Sequence, residues 1–112
     1  MYKIKIMNEY THGPIWVCDE DGISTDYELI DDDSILQELN DETENLYSSY
    51  YEFNSHGQAC WFNEELEKST SREMLKLITK IKDRLSEIND GSFIVEDYES
   101  ERLNKLLKYQ FN

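Results

Sequence analysis

YKIKIMNEYTHGPIWVC, residues 2–18, is the stretch on which the reading of the fold turns. Tyr2, Ile4 and Ile6 alternate with Lys3 and Lys5, the period of a strand with one buried and one solvated face. Residues 10–14, YTHGP, carry the glycine and proline of a turn. Ile15, Trp16, Val17 and Cys18 then form a short apolar run, placed to pair back on the first strand as an edge hairpin. Residues 19–22, DEDG, end it.

Working outward, a helix is expected from about Ser34. Ser34 and Gln37 have capping-box spacing, and Asp31, Asp32 and Asp33 set negative charge at the positive end of the helix dipole. Ile35, Leu36, Leu39, Leu46, Tyr47 and Tyr50 recur at three- and four-residue intervals. The other face carries Glu38, Asp41, Glu42, Glu44 and Asn45, with no Lys four residues on, so it is not arranged for the helix's own stability. Residues 55–58, SHGQ, break the pattern. Asn63, or Thr70 with Glu73, is placed to cap a second helix whose buried stripe is Met74, Leu75, Ile78, Ile81, Leu85 and Ile88. Asn89, Asp90 and Gly91 supply its stop. Residues 92–98, SFIVEDY, read as a third strand, and Leu103, Leu106 and Leu107 as the apolar side of a short helix within residues 99–111.

This order predicts an α+β fold in two layers: a small sheet of two or three strands against two main helices, plus a short C-terminal helix. The first and last strands are expected to be sheet neighbours, with their relative direction left open. At 112 residues the chain suits one domain and one modest core.

The charge is lopsided. The net charge is −14, yet residues 6–67 contain no Lys or Arg and hold 17 of the 25 acidic side chains. The other residues carry all 11 basic groups against 8 acidic ones. Such a segment can serve simply as a solvated face, but self-repulsion on this scale costs stability. A positively charged partner is the better reading, and direct binding of nucleic acid is disfavoured because phosphates would be repelled. Eight Tyr, two Trp and four Phe argue against disorder. Trp16 and Tyr47 are expected in the core, while Tyr27, Tyr50 and Tyr51 among carboxylates also suit an interface. No stretch approaches the length of a membrane span, and residues 1–10 show no secretory h-region, so a cytoplasmic protein with reduced Cys18 and Cys60 is expected.

Residues 17–28, VCDEDGISTDYE, match part of the twelve-residue EF-hand loop, with Asp19 at position 3, Asp21 at 5, Gly22 at 6 and Glu28 at 12. Val17 stands where the anchoring Asp belongs, Ser24 where an apolar residue belongs, and no helix can lead in through Gly13 and Pro14. His12, Cys18, His56 and Cys60 lack the tight cysteine pair of a structural zinc site. His56 and Cys60 show no third, orienting residue, and acidic surroundings raise a thiol pKa rather than lower it. The four glycines are isolated, so there is no phosphate loop. No metal, cofactor or catalytic residue is expected.

Read whole, IKIMNEYTHGPIWVCDEDG, residues 4–22, resembles the opening of small bacterial immunity proteins from polymorphic toxin and contact-dependent growth inhibition systems. Ile4, Ile6, Met7, Tyr10, Pro14 and Trp16 match, with Tyr10, Pro14 and Trp16 as a structural motif. Ile15 stands where Leu is usual and Glu9 where Asp is common. The acidic run and the order of elements match over about residues 1–98, and residues 99–112 look like a helical extension. The resemblance implies a non-catalytic inhibitor that binds a cognate toxin C-terminal domain as a 1:1 complex. Toxins of these systems are often nucleases, RNases more than DNases, and a groove built to hold phosphates is basic. On that reading the contact surface comprises Asp19, Glu20, Asp21, Asp26, Tyr27 and Glu28 before the first helix, with Asp31, Asp32 and Asp33. Glu38, Asp41 and Glu42 on the helix, and Tyr51, complete it. The same charge also fits a DNA mimic directed at another nucleic-acid-binding protein. Neither reading needs a membrane or a bound nucleic acid.

Overall fold

The computed structural model describes residues 1–55 and 57–110. In chain order it contains β1 (Tyr2–Ile6), β2 (Ile15–Cys18), α1 (Glu28–Asp31), α2 (Ser34–Ser48), β3 (Tyr51–Ser55), β4 (Gln58–Phe62), α3 (Glu64–Ile88), β5 (Phe93–Asp97) and α4 (Ser100–Gln110). The fold is α+β, with a three-stranded sheet ordered β2-β1-β5 and a separate β3-β4 pair.

The alternation in residues 2–6 makes β1 the middle strand. β2 returns antiparallel to it, Ile4 opposite Val17 and Ile6 opposite Ile15. β5 pairs with it in parallel, Tyr2 opposite Phe93 and Ile4 opposite Val95, which settles the direction the sequence left open. A parallel pair requires a long crossover, here everything from β2 to β5. Ile4, Ile6 and Phe93 are buried on the helix-covered face. Lys3, Lys5, Trp16, Ile94 and Glu96 alternate to the other face.

α3 supplies the backbone of the second layer. Its 25 residues span about 37 Å at the α-helical rise. Met74, Ile78, Ile81 and Leu85 are buried as the spacing predicts, joined by Leu77, while Leu75 and Ile88 are half-buried at the margin. Each fully buried side chain of this kind stabilises the fold by about 1.5–3 kcal/mol. α2 lies antiparallel to α3, with Asp33 at its start beside Arg84 and Tyr50 beyond its end bonded to Thr70. α4 packs on α3, and Leu103 is fully buried. Asp97 starts α4 by accepting Glu99 N at 2.9 Å and Ser100 N at 3.0 Å, while Lys82 of α3 holds its other oxygen at 3.0 Å.

Several local expectations shift. The cap of α2 is Asp33 rather than Ser34: Asp33 Oδ1 accepts Leu36 N at 2.9 Å. Asn63 caps α3 by the same geometry, accepting Leu66 N at 2.9 Å, so the later Thr70 start is set aside. Ile35 is exposed, because the face of α2 that meets α3 runs through Leu36 and Leu39. Tyr50 is fully buried but lies beyond α2, where the chain turns into β3. Trp16 sits on the sheet face away from the helices, its ring stacked on His12 at 3.6 Å and its Nε1 donating to Met7 O at 2.9 Å. The β3-β4 hairpin was not legible as strands, since its aromatics continue the helical spacing of α2. Phe111 and His56 lie outside the described residues.

Candidate functional site

The sequence motif Tyr10, Pro14 and Trp16 is one structural unit. Met7 N donates to Pro14 O at 2.9 Å, Met7 O receives Trp16 Nε1, and Tyr10 packs on Tyr51 with ring centroids 4.7 Å apart. Thr11, between them, adopts a positive φ of 62°. These contacts fix the β1-β2 connection.

The segment between β2 and α2 is held by some of its own carboxylates. Asp19 Oδ1 accepts Asp21 N at 2.9 Å and Ile23 N at 3.0 Å, closing a turn in which Gly22 takes a φ of 81°. Asp31 accepts Tyr27 N at 2.8 Å. Tyr27 stacks on Tyr2 at 3.9 Å, meets Phe93 edge-on and bonds Ser92 through its hydroxyl, so it closes the end of the sheet. Glu20 receives the N-terminal ammonium at 2.7 Å, and that bond holds its carboxyl below the usual range.

Asp33 does two jobs. Besides capping α2 it binds the Arg84 guanidinium, with Nη2 to Oδ2 at 2.6 Å and Nε to Oδ2 at 3.1 Å. Arg84 lowers the Asp33 pKa, chiefly through these bonds and against the opposing effect of burial. Arg102 likewise reaches Glu67 at 2.8 Å. Both contacts cross the division between the cation-free segment and the rest, so folding closes part of the charge split seen along the chain.

What remains uncompensated is narrower than the sequence suggested. Asp21, Asp26, Glu28 and Asp32 are exposed, and none of them makes an ion pair among the described residues. Glu38, Asp41 and Glu42 share the exposed face of α2 at three- and four-residue steps. Glu42 lies in a groove of about 360 Å³ that Lys76 and Lys80 of α3 also line, so this stripe has cations beside it. Among the described residues the loop and α1 carboxylates form the part of the predicted surface whose only ion pair is that of Glu20 with the terminal amine.

Tyr51 belongs elsewhere. It packs among Tyr47, Tyr10 and Phe62 at centroid distances of 5.7, 4.7 and 5.1 Å. There a cleft of about 250 Å³ is lined by Tyr47, Tyr51, Phe62, Glu67, Glu99 and Arg102. Sequence reasoning missed it, although Glu99 and Arg102 stand at the i,i+3 spacing of a helical ion pair. Of the residues weighed for zinc, Cys18 is buried at the end of β2, Cys60 is exposed on β4 and His12 faces Trp16. Among the described residues no three His, Cys, Asp or Glu side chains gather in a group that could hold a metal ion. Among them, too, no helix is long and apolar enough to cross a membrane.

No family model matches the chain, and neither curated proteins nor solved structures return a match.

Proposed function

We propose that this chain is an immunity-type inhibitor that neutralises a bacterial toxin domain, a nuclease with RNase chemistry preferred, by occupying its basic substrate groove. The observation that carries the reading is the exposed carboxylate surface at Asp21, Asp26, Glu28 and Asp32, which has no counter-cation in an ion pair among the described residues. Supporting it are the acidic face of α2 and the resemblance of residues 4–22. Carboxylates so placed stand where substrate phosphates would, and form charge-assisted bonds to Arg and Lys. Their combined field speeds encounter with a basic groove, toward ~10⁸–10⁹ M⁻¹s⁻¹ at low salt. The chain acts by binding and contributes no catalytic group.

Co-expression with the toxin encoded beside it tests the proposal. Rescue of growth, together with a 1:1 complex on size exclusion, is the expected result. Killing that proceeds unchanged while both proteins accumulate would sink it.

A further inference from the structure

The cleft beside Tyr51 has a chemistry distinct from the loop surface. Glu67 and Glu99 are only 7% and 6% exposed, and both bind Arg102, at 2.8 and 2.7 Å. Two buried carboxylates against one guanidinium leave one negative charge in excess. Glu99 takes Asn8 N and Asn8 Nδ2, each at 3.2 Å, in addition to Arg102. Asn8 Oδ1, at the same cluster, is buried without any donor among the described residues. Glu67 Oε1 receives no hydrogen bond among the described residues, although Glu67 lines the cleft.

The remaining lining is aromatic. Tyr47, Tyr51 and Phe62 enclose the space with the carboxylates, and the two tyrosine hydroxyls lie 3.3 Å apart. The Tyr47 phenol is pushed well above its ordinary pKa by burial first, then by the Tyr51 hydroxyl and the Glu67 and Glu99 charges. Alongside, Phe53 is 52% exposed and packs on Tyr10 at 5.7 Å, which extends the aromatic wall outward.

An acceptor oxygen left open at Glu67, two carboxylates against one guanidinium and aromatic faces together suit one kind of ligand. A guanidinium is planar, stacks on tyrosine and brings five donors, whereas an ammonium is a compact, strongly hydrated point charge. We infer that this cleft is a receptor for one arginine side chain projected by a protein partner, with Glu67 accepting the guanidinium and Tyr47, Tyr51 and Phe62 enclosing it. The inference deepens the proposed function, on which it rests only for the partner's identity. It adds an anchor that slows dissociation, of the Arg-in-aromatic-pocket type that dominates many interfaces.

The test uses the whole, isotope-labelled chain titrated with N-acetyl-arginine methylamide and followed by amide chemical shifts. N-acetyl-lysine methylamide and N-acetyl-norleucine methylamide serve as comparisons. Saturable shifts at Tyr47, Tyr51, Phe62 and Glu67 with the arginine probe are expected, weaker with lysine and absent with norleucine. Glu67→Gln should weaken the arginine response at least tenfold. If that variant does not fold, Tyr51→Leu carries the same expectation without touching the buried ion pairs. No saturable response at the cleft, an equal response to norleucine, or shifts confined to residues 19–42 would overturn the inference. Growth rescue with a silent cleft removes this inference and leaves the proposed function standing. A responsive cleft without rescue does the reverse.

Discussion

Asn40 Oδ1 accepts the Ile15 backbone N–H at 3.0 Å, tying edge strand β2 to helix α2. The same amide lies over Gly13, where an added Cβ would come within 2.0 Å of Asn40 Nδ2. One side chain thus both satisfies a strand-edge donor, the group through which edges otherwise pair wrongly, and demands glycine two residues earlier.

Gly13→Ala should therefore destabilise the fold by about 1–3 kcal/mol, because Asn40 has to move off Ile15. Asn40→Ala, which leaves the Ile15 N–H without its partner, should cost about 1–3 kcal/mol by itself. The double variant should cost less than the two summed, since removing the Asn40 amide leaves room for a Cβ at residue 13. Urea unfolding of the three variants measures this, and strict additivity would refute the coupling.

Loss of the Asp33 carboxylate removes a helix cap and the Arg84 pair together. Asp33→Ala should cost about 2 kcal/mol. Because the folded pKa of Asp33 is depressed, its contribution is present above the ordinary aspartate pKa and fades as pH falls through the lower folded value. The stability gap between wild type and Asp33→Ala should accordingly shrink on acidification below about pH 4. A gap that holds constant to pH 2 would contradict it.

Alkaline pH acts in the opposite sense through the buried phenols. Burial raises the pKa of Tyr47 and of Tyr50. Their stabilisation is complete below the unfolded tyrosine value, about 10, and is lost as pH climbs above it toward the folded values. Tyr47→Phe should flatten the fall in melting temperature between about pH 10 and 11.5, and calorimetry across that range decides the point.

For the proposed toxin complex, the variant Asp26→Asn, Glu28→Gln, Asp32→Asn should lower the association rate about tenfold at low salt. Stability should change by less than about 0.5 kcal/mol, since the three side chains are exposed. The rate difference should vanish at high salt, where exposed charges are screened. Stopped-flow mixing at several salt concentrations reads this directly, and a salt-independent rate would rule out steering.

Thiol chemistry separates the two cysteines. Cys60 is exposed and Cys18 is buried, so Ellman's reagent should titrate one thiol in the native protein and the second only on unfolding. Simultaneous reaction of both would mean that the loop over β2 opens readily.

Periodicity made α2, α3, α4, β1 and the edge strand legible, while the four-residue α1 is too short to show a period. A two-residue repeat of Ile and Lys admits only a half-buried strand, and the Met74 to Leu85 spacing admits only a buried helix stripe. The acidic segment was legible as well, because charge is additive and needs no geometry to be counted. Which of those charges remain free was decided by tertiary structure alone: Arg84 reaches Asp33 across 51 residues and Arg102 reaches Glu67 across 35. No local spacing encodes such contacts. The parallel pairing of β1 with β5 rests on the same kind of long-range closure, the packing of α3 against the sheet. The residues of the cleft come together from separate elements, as distant as Tyr47 at the end of α2 and Glu99 before α4. Composition could not place them, because burial and proximity are properties of the folded chain and not of its letters.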